Sequence, residues 1–301
     1  MDSGVGGGAL DFGWLRGFDG RLLLTSSALI KGETRIEHPS LRAAVQNGVL
    51  MLEQFDGGLM GGQLGITGRL AAPSGQPATA EADITLVKAQ LSEAFGTGSL
   101  ALTGGTLDLE SSLATTGTTR EALVKGLSGQ GRLSARDGVI RGLDIGALRD
   151  RLTKLERPQE LLGAVMGGLQ GGETRFASLD GTFAVDRGVV RTENLRLKSA
   201  VGEAAGVGQI DLPADSIDMR VRVSILSDQA LPPLTLRLTG PLDKPTRSFE
   251  MQEVQEYFAR RAAEGLLNRA VPKGDAVPDP GGSAPAKPET LLKGLIEGLR
   301  R

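Results

Sequence analysis

Two neighbouring segments of the chain, residues 217–225 and 234–238, alternate strictly between apolar and polar side chains. Successive side chains of a β-strand point to opposite faces of a sheet, so this period of two predicts two strands that each have one apolar face. A glycine- and proline-rich turn, Gly240–Pro245, ends the second segment. The chain is therefore predicted to build a sheet, and its function depends on what covers the apolar face.

The glycine and aromatic content favours a long sheet over a dense globular core. Glycine supplies 44 of 301 residues, roughly double the usual ~7%. Trp, Tyr and Phe number 1, 1 and 8, although aromatic side chains normally dominate the packing of compact cores. Because frequent glycine also marks turns and bulges, a long sheet with many short connections is the fold that this composition predicts.

A short unit recurs along the chain and predicts a series of hairpins. Leu127–Arg141 and Leu179–Arg191 match in register, since each contains a glycine, alternating residues, a second glycine and a short apolar run. Asp137–Gly138 and Arg187–Gly188 stand where each unit would reverse, because glycine tolerates positive φ and Asp-Gly favours two-residue turns. Asn47–Gly48 is a looser, earlier copy. We predict a hairpin at each of these three turns.

Helical patterns are few, and one of them divides the sheet. A helical hairpin is predicted at about 144–166, where three-to-four spacing of apolar residues replaces alternation. We divide the sheet into N-terminal repeats, residues 1–120, and a C-terminal β region, residues 121–248, which contains this hairpin. An amphipathic helix is predicted at 249–270, with Ser248 as its N-cap.

The last part of the chain has a different composition. Residues 271–288 are rich in proline and glycine, which predicts a disordered linker. Residues 289–301 predict a short amphipathic helix that contacts a membrane or a partner, because basic residues border its apolar face. That face consists of Leu291, Leu292, Leu295, Ile296 and Leu299.

Several functional classes find no support in the sequence. The formal charge of −2 is spread along the chain without a basic stripe, so nucleic acid is not a predicted partner. The chain has no cysteine, and its single histidine, His38, is predicted to lie in a loop. No phosphate-binding loop and no catalytic constellation is recognisable. We predict a protein without a cofactor or a metal site that is not an enzyme.

The order of several segments resembles a known family. Leu127–Leu148, Gly206–Leu212 and Leu234–Pro245 together resemble the C-terminal region of the AsmA-like proteins, bacterial envelope proteins related to TamB and YhdP. Phe12–Leu70 is similar to the preceding repeat of that family. The resemblance covers most of residues 10–250 and depends on the order of the motifs, because no single motif is specific.

The resemblance implies a mainly β fold: an elongated, twisted antiparallel sheet that forms a curled groove, with a few short helices. It also implies a role in the periplasm or at the periplasmic face of the inner membrane, in the movement of phospholipid or another acyl lipid towards the outer membrane. As written, the sequence contains neither an export signal nor a transmembrane stretch, so membrane association would need a missing anchor or a partner. The predicted lipid-facing residues are Leu195, Leu197, Ile217, Met219, Val221, Val223, Ile225, Leu234, Leu236 and Leu238.

Other interpretations stay open at this stage. The ten predicted groove residues could pack only on one another or on the helices, because alternation is the signature of any half-buried strand. The chain could instead be a scaffold or assembly factor that binds other envelope proteins through sheet edges and amphipathic helices, and that regulates protein targeting to the outer membrane. A third possibility is an inert sheet without a transport path.

Overall fold

The chain divides into two compact units, residues 1–259 and residues 260–301, and the first of these forms the sheet. The computed structural model describes residues 10–92, 101–153, 171–226 and 232–250, with 252–253, 255–257, 259–260 and 263. The predicted linker at 271–288 and the predicted helix at 289–301 lie outside the described residues, as does the second half of the predicted helical hairpin.

Fifteen strands form one antiparallel sheet, which confirms the predicted fold class. In chain order they are β1 (Gly20–Thr25), β2 (Ala28–Lys31), β3 (Thr34–Gln46), β4 (Val49–Leu59), β5 (Gly62–Ala71), β6 (Ala78–Gln90), β7 (Ala101–Thr103), β8 (Thr106–Gly117), β9 (Ser128–Arg141), β10 (Glu173–Asp186), β11 (Val189–Lys198), β12 (Gly202–Asp211), β13 (Ser216–Ile225), β14 (Leu234–Pro241) and β15 (Thr246–Glu250).

The strands pair almost entirely in chain order. The sheet begins with β1, β3, β4, β5, β6, β8 and β9 and continues without exception to β15, while β2 pairs with β3 and β7 pairs with β9. β8 and β9 pair with each other, so the sheet continues across residues 120–121. Short connections suffice because antiparallel neighbours need only a hairpin between them.

Two of the three predicted hairpin turns are confirmed. Asn47 and Arg187 have φ of 53° and 49°, and each is followed by a glycine with positive φ, Gly48 and Gly188. These turns join β3 to β4 and β10 to β11. Positive φ at both central residues is the geometry that matches the twist of a tight hairpin.

The predicted hairpin at Asp137–Gly138 is wrong, because both residues lie inside β9. Asp137 has φ of 53°, yet the strand continues, and Val139 pairs with Arg175 of β10 and with Thr103 of β7. Gly138 is required here for another reason: a Cβ at this position would collide with the ring of Phe176. The Asp-Gly pair therefore forms an irregularity within a paired strand.

Between residues 10 and 153, the described part of the chain contains three short helices: a 3₁₀ helix at Gly13–Arg16, α1 at Arg120–Lys125 and α2 at Ile145–Thr153. α2 supplies the first helix of the predicted helical hairpin. The predicted helix at 249–270 begins later than expected, because Ser248 pairs with Arg237 and Phe249 with Leu236 in β15. Helical residues follow at 252–253, 255–257 and 259–260.

Register shifts interrupt several of the long strand pairs. They occur between β3 and β4, β4 and β5, β6 and β8, β10 and β11, and β11 and β12. The predicted loop position of His38 is wrong: it lies within β3, at the first of these shifts, with φ of 46°. Bulged strands bend and twist more strongly than regular ones. The sheet is therefore bent at many points along its apolar face.

Candidate functional site: the apolar face of the sheet

The alternating segment of β13 has the orientation that the sequence predicts. Met219, Val223 and Ile225 are buried, with exposed fractions of 8%, 3% and 8%. Ile217 and Val221 are half-buried. The intervening polar side chains are exposed: Asp218, Arg220, Arg222 and Ser224. One face of this strand is thus apolar and shielded, and the other is polar and wet.

The other predicted groove residues share this face. Leu234, Leu236 and Leu238 of β14 are buried, and they lie opposite Val223, Val221 and Met219 respectively. On β11, Leu197 is buried and Leu195 is half-buried. The structure therefore brings all ten predicted residues onto one apolar face, while their contact with lipid stays a prediction.

Helix α2 covers part of this face. Its residues Ile145 and Leu148, exposed by 0% and 1%, pack in one cluster with Val223, Ile225 and Leu234. Three of the ten predicted residues therefore belong to the cluster that α2 joins, and a fourth, Val221, packs against that cluster. A second cluster, formed by Met219, Leu236 and Leu238, contains side chains from strands only among the described residues.

Buried hydrogen bonds hold the start of α2 against the sheet. The hydroxyl of Thr174, on β10, accepts from the amide of Ile145 at 3.0 Å and donates to the carbonyl of Leu143 at 2.6 Å. Asp144 caps the helix by accepting from the amide of Ala147 at 2.8 Å. Thr174 is 2% exposed, so its two bonds form away from competing water.

A contact between β15 and the end of β9 shows how strongly the C-terminal strands curl. The Arg247 guanidinium donates to the carbonyl of Gly142 at 3.1 Å, although five strands separate β9 from β15 in the sheet. Six strand spacings of about 4.8 Å would place the two roughly 29 Å apart in a flat sheet. The strands between them must therefore curl around the apolar face and α2.

The apolar face continues well beyond the predicted residues. Cross-strand neighbours form a line from β5 to β15, which we call the apolar row. Its side chains are Leu64, Leu86, Leu109, Leu133, Leu195, Val221, Leu236 and Phe249, with Gly181 and Gly206 between the larger residues. Sequence reasoning found only three of these residues, although alternation in β6 and β8 could have indicated Leu86 and Leu109.

The two glycines of the apolar row allow Leu195 to lie close to its neighbours. A Cβ at Gly181 would come within 2.9 Å of Leu195 Cδ1, and one at Gly206 within 3.2 Å of Leu195 Cδ2. Larger residues would have to push this side chain away. The small positions therefore keep the row continuous where the register of β10 and β11 shifts.

The N-terminal half of the apolar face has a different covering. Leu64, Leu86 and Ala89 form a cluster with residues from β3, β4, β5, β6 and β8, which we call the helix-free cluster. Its half-buried members include Phe55, Ile66, Ile84 and Leu109. Among the described residues, none of its members comes from a helix. Leu64, Leu86 and Ala89 are nevertheless buried, with exposed fractions of 8%, 8% and 0%, although no described helix packs with them.

The opposite face of the sheet is polar and internally paired. Arg132 lies 2.6 Å from Glu110, and Arg136 lies 2.8 Å from Asp180. Burial acts to raise the pKa of Asp180, but hydrogen bonds from Arg136 and Ser134, with the charge of Arg136, lower that pKa below its ordinary value. Such exposed pairs contribute little stability. Because the charged side chains of this face pair with one another in contact with water, we take the apolar face as the candidate site.

Three other kinds of candidate site are a membrane-spanning helix, a metal site and the predicted C-terminal contact. Within the described ranges, no helix is both long and apolar enough to cross a membrane. No group of three or more metal-ligating side chains occurs in the same part of the chain. The predicted contact residues Leu291, Leu292, Leu295, Ile296 and Leu299 lie outside it.

Comparison with known proteins identifies a family. The model of the AsmA family matches residues 32–225, which is more than half of the chain. The match runs from the turn before β3 to the last residue of β13, and so contains α2 and most of the apolar face. No curated protein matches the chain. No solved structure matches it either.

Proposed function

Because the chain belongs to the AsmA family of envelope-associated proteins, we propose that its apolar face shields the acyl chains of a lipid from water. The observation that carries this proposal is the apolar row, which crosses ten neighbouring strands from β5 to β15. Nine strand spacings of about 4.8 Å give it a length of roughly 43 Å along the sheet. A phospholipid or another acyl lipid is the class of ligand that such a surface suits.

A lipid needs such a shield because moving an acyl chain through water is energetically costly. Each methylene transferred from hydrocarbon to water costs about 0.8 kcal/mol, so a lipid with two acyl chains faces a barrier on the order of tens of kcal/mol. An apolar surface removes most of this cost, provided that it is long enough. Aliphatic side chains of varied shape also adapt to a flexible chain.

The helix-free cluster is the part of the face that we assign to lipid. It extends over β3, β4, β5, β6 and β8, which is four strand spacings or roughly 19 Å. One acyl chain spans half of a bilayer core that is ~30 Å thick, or about 15 Å. The cluster is thus long enough for one acyl chain without the part of the apolar face that α2 covers.

This role places the protein in the periplasm or at the periplasmic face of the inner membrane, where it would support the biogenesis of the outer membrane. The AsmA family is not a known enzyme family, and we propose a carrier role without catalysis. A scaffold or assembly role is the second candidate. It is favoured by the exposed apolar side chains of β1 and β2, which suit a protein partner.

A matched pair of variants tests the lipid role. Ile66 and Ile84 are cross-strand neighbours on the apolar face, while Thr67 and Thr85 follow them on the exposed face. Ile66→Asn with Ile84→Asn should abolish copurifying lipid, and Thr67→Asn with Thr85→Asn should retain it. The measurement is lipid extraction and mass spectrometry of the full chain, purified without detergent from a bacterial envelope fraction.

Lipid that is equal in both variants, or absent from the unaltered chain, would contradict the proposal and favour the scaffold role. Circular dichroism checks that each variant keeps its sheet. If the variant with Ile66→Asn and Ile84→Asn does not fold, the test uses the unaltered chain instead. A fatty acid with a photoreactive tail is then cross-linked to this chain. Attachment must then occur on residues of the helix-free cluster, and attachment confined to the polar face would exclude the proposed site.

A further inference from the structure

The first edge of the sheet consists of β1 and β2, which lie end to end along one side of β3. Their pairs run from Gly20 with Val45 to Lys31 with Thr34 in one continuous register. The other side of β3 pairs with β4. Within the described residues, no strand pairs with the outer side of β1 or β2.

This edge is apolar on both faces. Leu22, Leu23 and Leu24 are exposed by 48%, 74% and 56%, and Leu29 and Ile30 by 51% and 62%. Among the described residues, 13 large apolar side chains are strongly exposed, and eight of these precede residue 31. Those eight are Leu10, Trp14, Phe18, Leu22, Leu23, Leu24, Leu29 and Ile30. The exposure is thus concentrated at one end of the sheet.

The opposite edge carries the usual protection against pairing. β15 has five residues, and Arg247 and Glu250 place charge on it. Short length and charge both discourage the addition of another strand. β1 has a single charged residue, Arg21, in six. With Lys31 of β2, the first edge carries two charged residues in ten. A longer and more apolar edge of this kind is a template for a strand from another chain.

We propose that β1 pairs antiparallel with β1 of a second copy of this chain, centred on Leu23. A two-fold axis at this residue places Leu22 opposite Leu24 of the other copy, so the apolar face continues from one sheet into the next. It also places Arg21 opposite Thr25, so the only charge on the strand avoids its counterpart. The edge is thus complementary to itself in shape and in charge.

The second copy is the occupant that these observations favour over another protein. Self-pairing satisfies the outward backbone groups of both edges at once, and it brings no like charges together. It covers Leu23, the most exposed of the apolar residues. The pairing needs no lipid, so it stands or fails independently of the proposed function.

An engineered disulfide tests the pairing directly, because the chain contains no cysteine. Directly opposite residues of antiparallel strands have Cα atoms about 4.5–5.5 Å apart, within the range of a disulfide. Leu23→Cys should therefore form a covalent dimer under mild oxidation of the full chain. Val87→Cys is the control, since Val87 is 46% exposed but lies in β6, between two neighbouring strands.

Sedimentation of the full chain completes the test, with a dimer of twice 31.4 kDa expected. Leu23→Glu should raise the dimer Kd by about tenfold or more, since two carboxylates would meet at the axis. Within one chain the new Glu lies opposite Arg42, which favours a folded monomer. Val87→Glu should leave the Kd unchanged.

A monomeric unaltered chain would overturn the proposal. A dimer whose Kd is unchanged by Leu23→Glu would also overturn it, as would equal disulfide cross-linking of Leu23→Cys and Val87→Cys. Capture of a different chain by an unaltered protein that remains monomeric would likewise exclude the second copy and assign the edge to another partner. Loss of lipid without loss of the dimer would concern the proposed function alone.

Discussion

At the C-terminal end of the sheet, side chains of α2 pack into the cluster on the apolar face, whereas the helix-free cluster at the N-terminal end contains strand residues and Met60, which follows β4. Both regions are built from strands in which apolar and polar side chains alternate. The difference teaches that the same strand pattern can be packed with a helix or without one, since Leu64, Leu86 and Ala89 are buried although no described helix contributes. We expect the region under α2 to contribute more to stability, and we propose the helix-free cluster as the region that binds.

The largest expected effect is the loss of stability when a leucine is truncated in the region under α2, compared with a less buried leucine in the helix-free cluster. Leu148→Ala removes a side chain that is 1% exposed and should cost about 2–5 kcal/mol of the free energy of unfolding. Leu109→Ala, at a half-buried position in the helix-free cluster, should cost about 1–2 kcal/mol. Urea unfolding measures both. Equal costs would remove the distinction between the two regions.

Thr174→Val sharpens the comparison by releasing α2 without changing the volume of the side chain much. The substitution removes the hydroxyl that bonds Leu143 and Ile145 and should cost about 1–3 kcal/mol, because both partners are buried. Amide hydrogen exchange should rise in α2 and remain unchanged in β5 and β6. Uniform exchange throughout the sheet would show that α2 does not stabilise its own region separately.

Asp180→Asn should have the smallest effect, below about 1 kcal/mol, because the pair with Arg136 is exposed. The pKa of Asp180 is lowered in the folded chain, so its carboxylate stabilises the fold above the unfolded pKa, and this contribution is lost as pH falls through the folded pKa. The difference in stability between the variant and the unaltered chain should therefore be present at pH 7 and shrink below about pH 3.9. A difference that grows on acidification would contradict this assignment.

The sequence predicted the strands whose local pattern is complete. Alternation in β13 and β14 placed every apolar residue of those strands on the correct face, and Asn47–Gly48 and Arg187–Gly188 correctly indicated hairpins. Such features depend on neighbouring residues only. They are visible without knowledge of which strand pairs with which.

The remaining features depend on contacts between distant residues. Alternation in β6 breaks at Lys88, because Leu86 and Ala89 are both buried although three positions separate them. Gly138 resembles a turn residue until Phe176 is known to lie against it. Phe249 follows Ser248, which the sequence predicts as a helix N-cap, yet both residues lie in β15 and Phe249 completes the apolar row. Tertiary pairing overrides the local signal in each case.

The order of strand pairing has a consequence for how the chain folds. From β3 onwards, nearly every strand pairs with the strand that precedes it in the chain. The pairing partner of each new strand has therefore already been synthesised. Local contacts of this kind make folding faster than distant pairings do. The sheet can therefore grow during synthesis, one strand at a time. The Arg247–Gly142 bond, which joins residues 105 positions apart, must wait for the last strand.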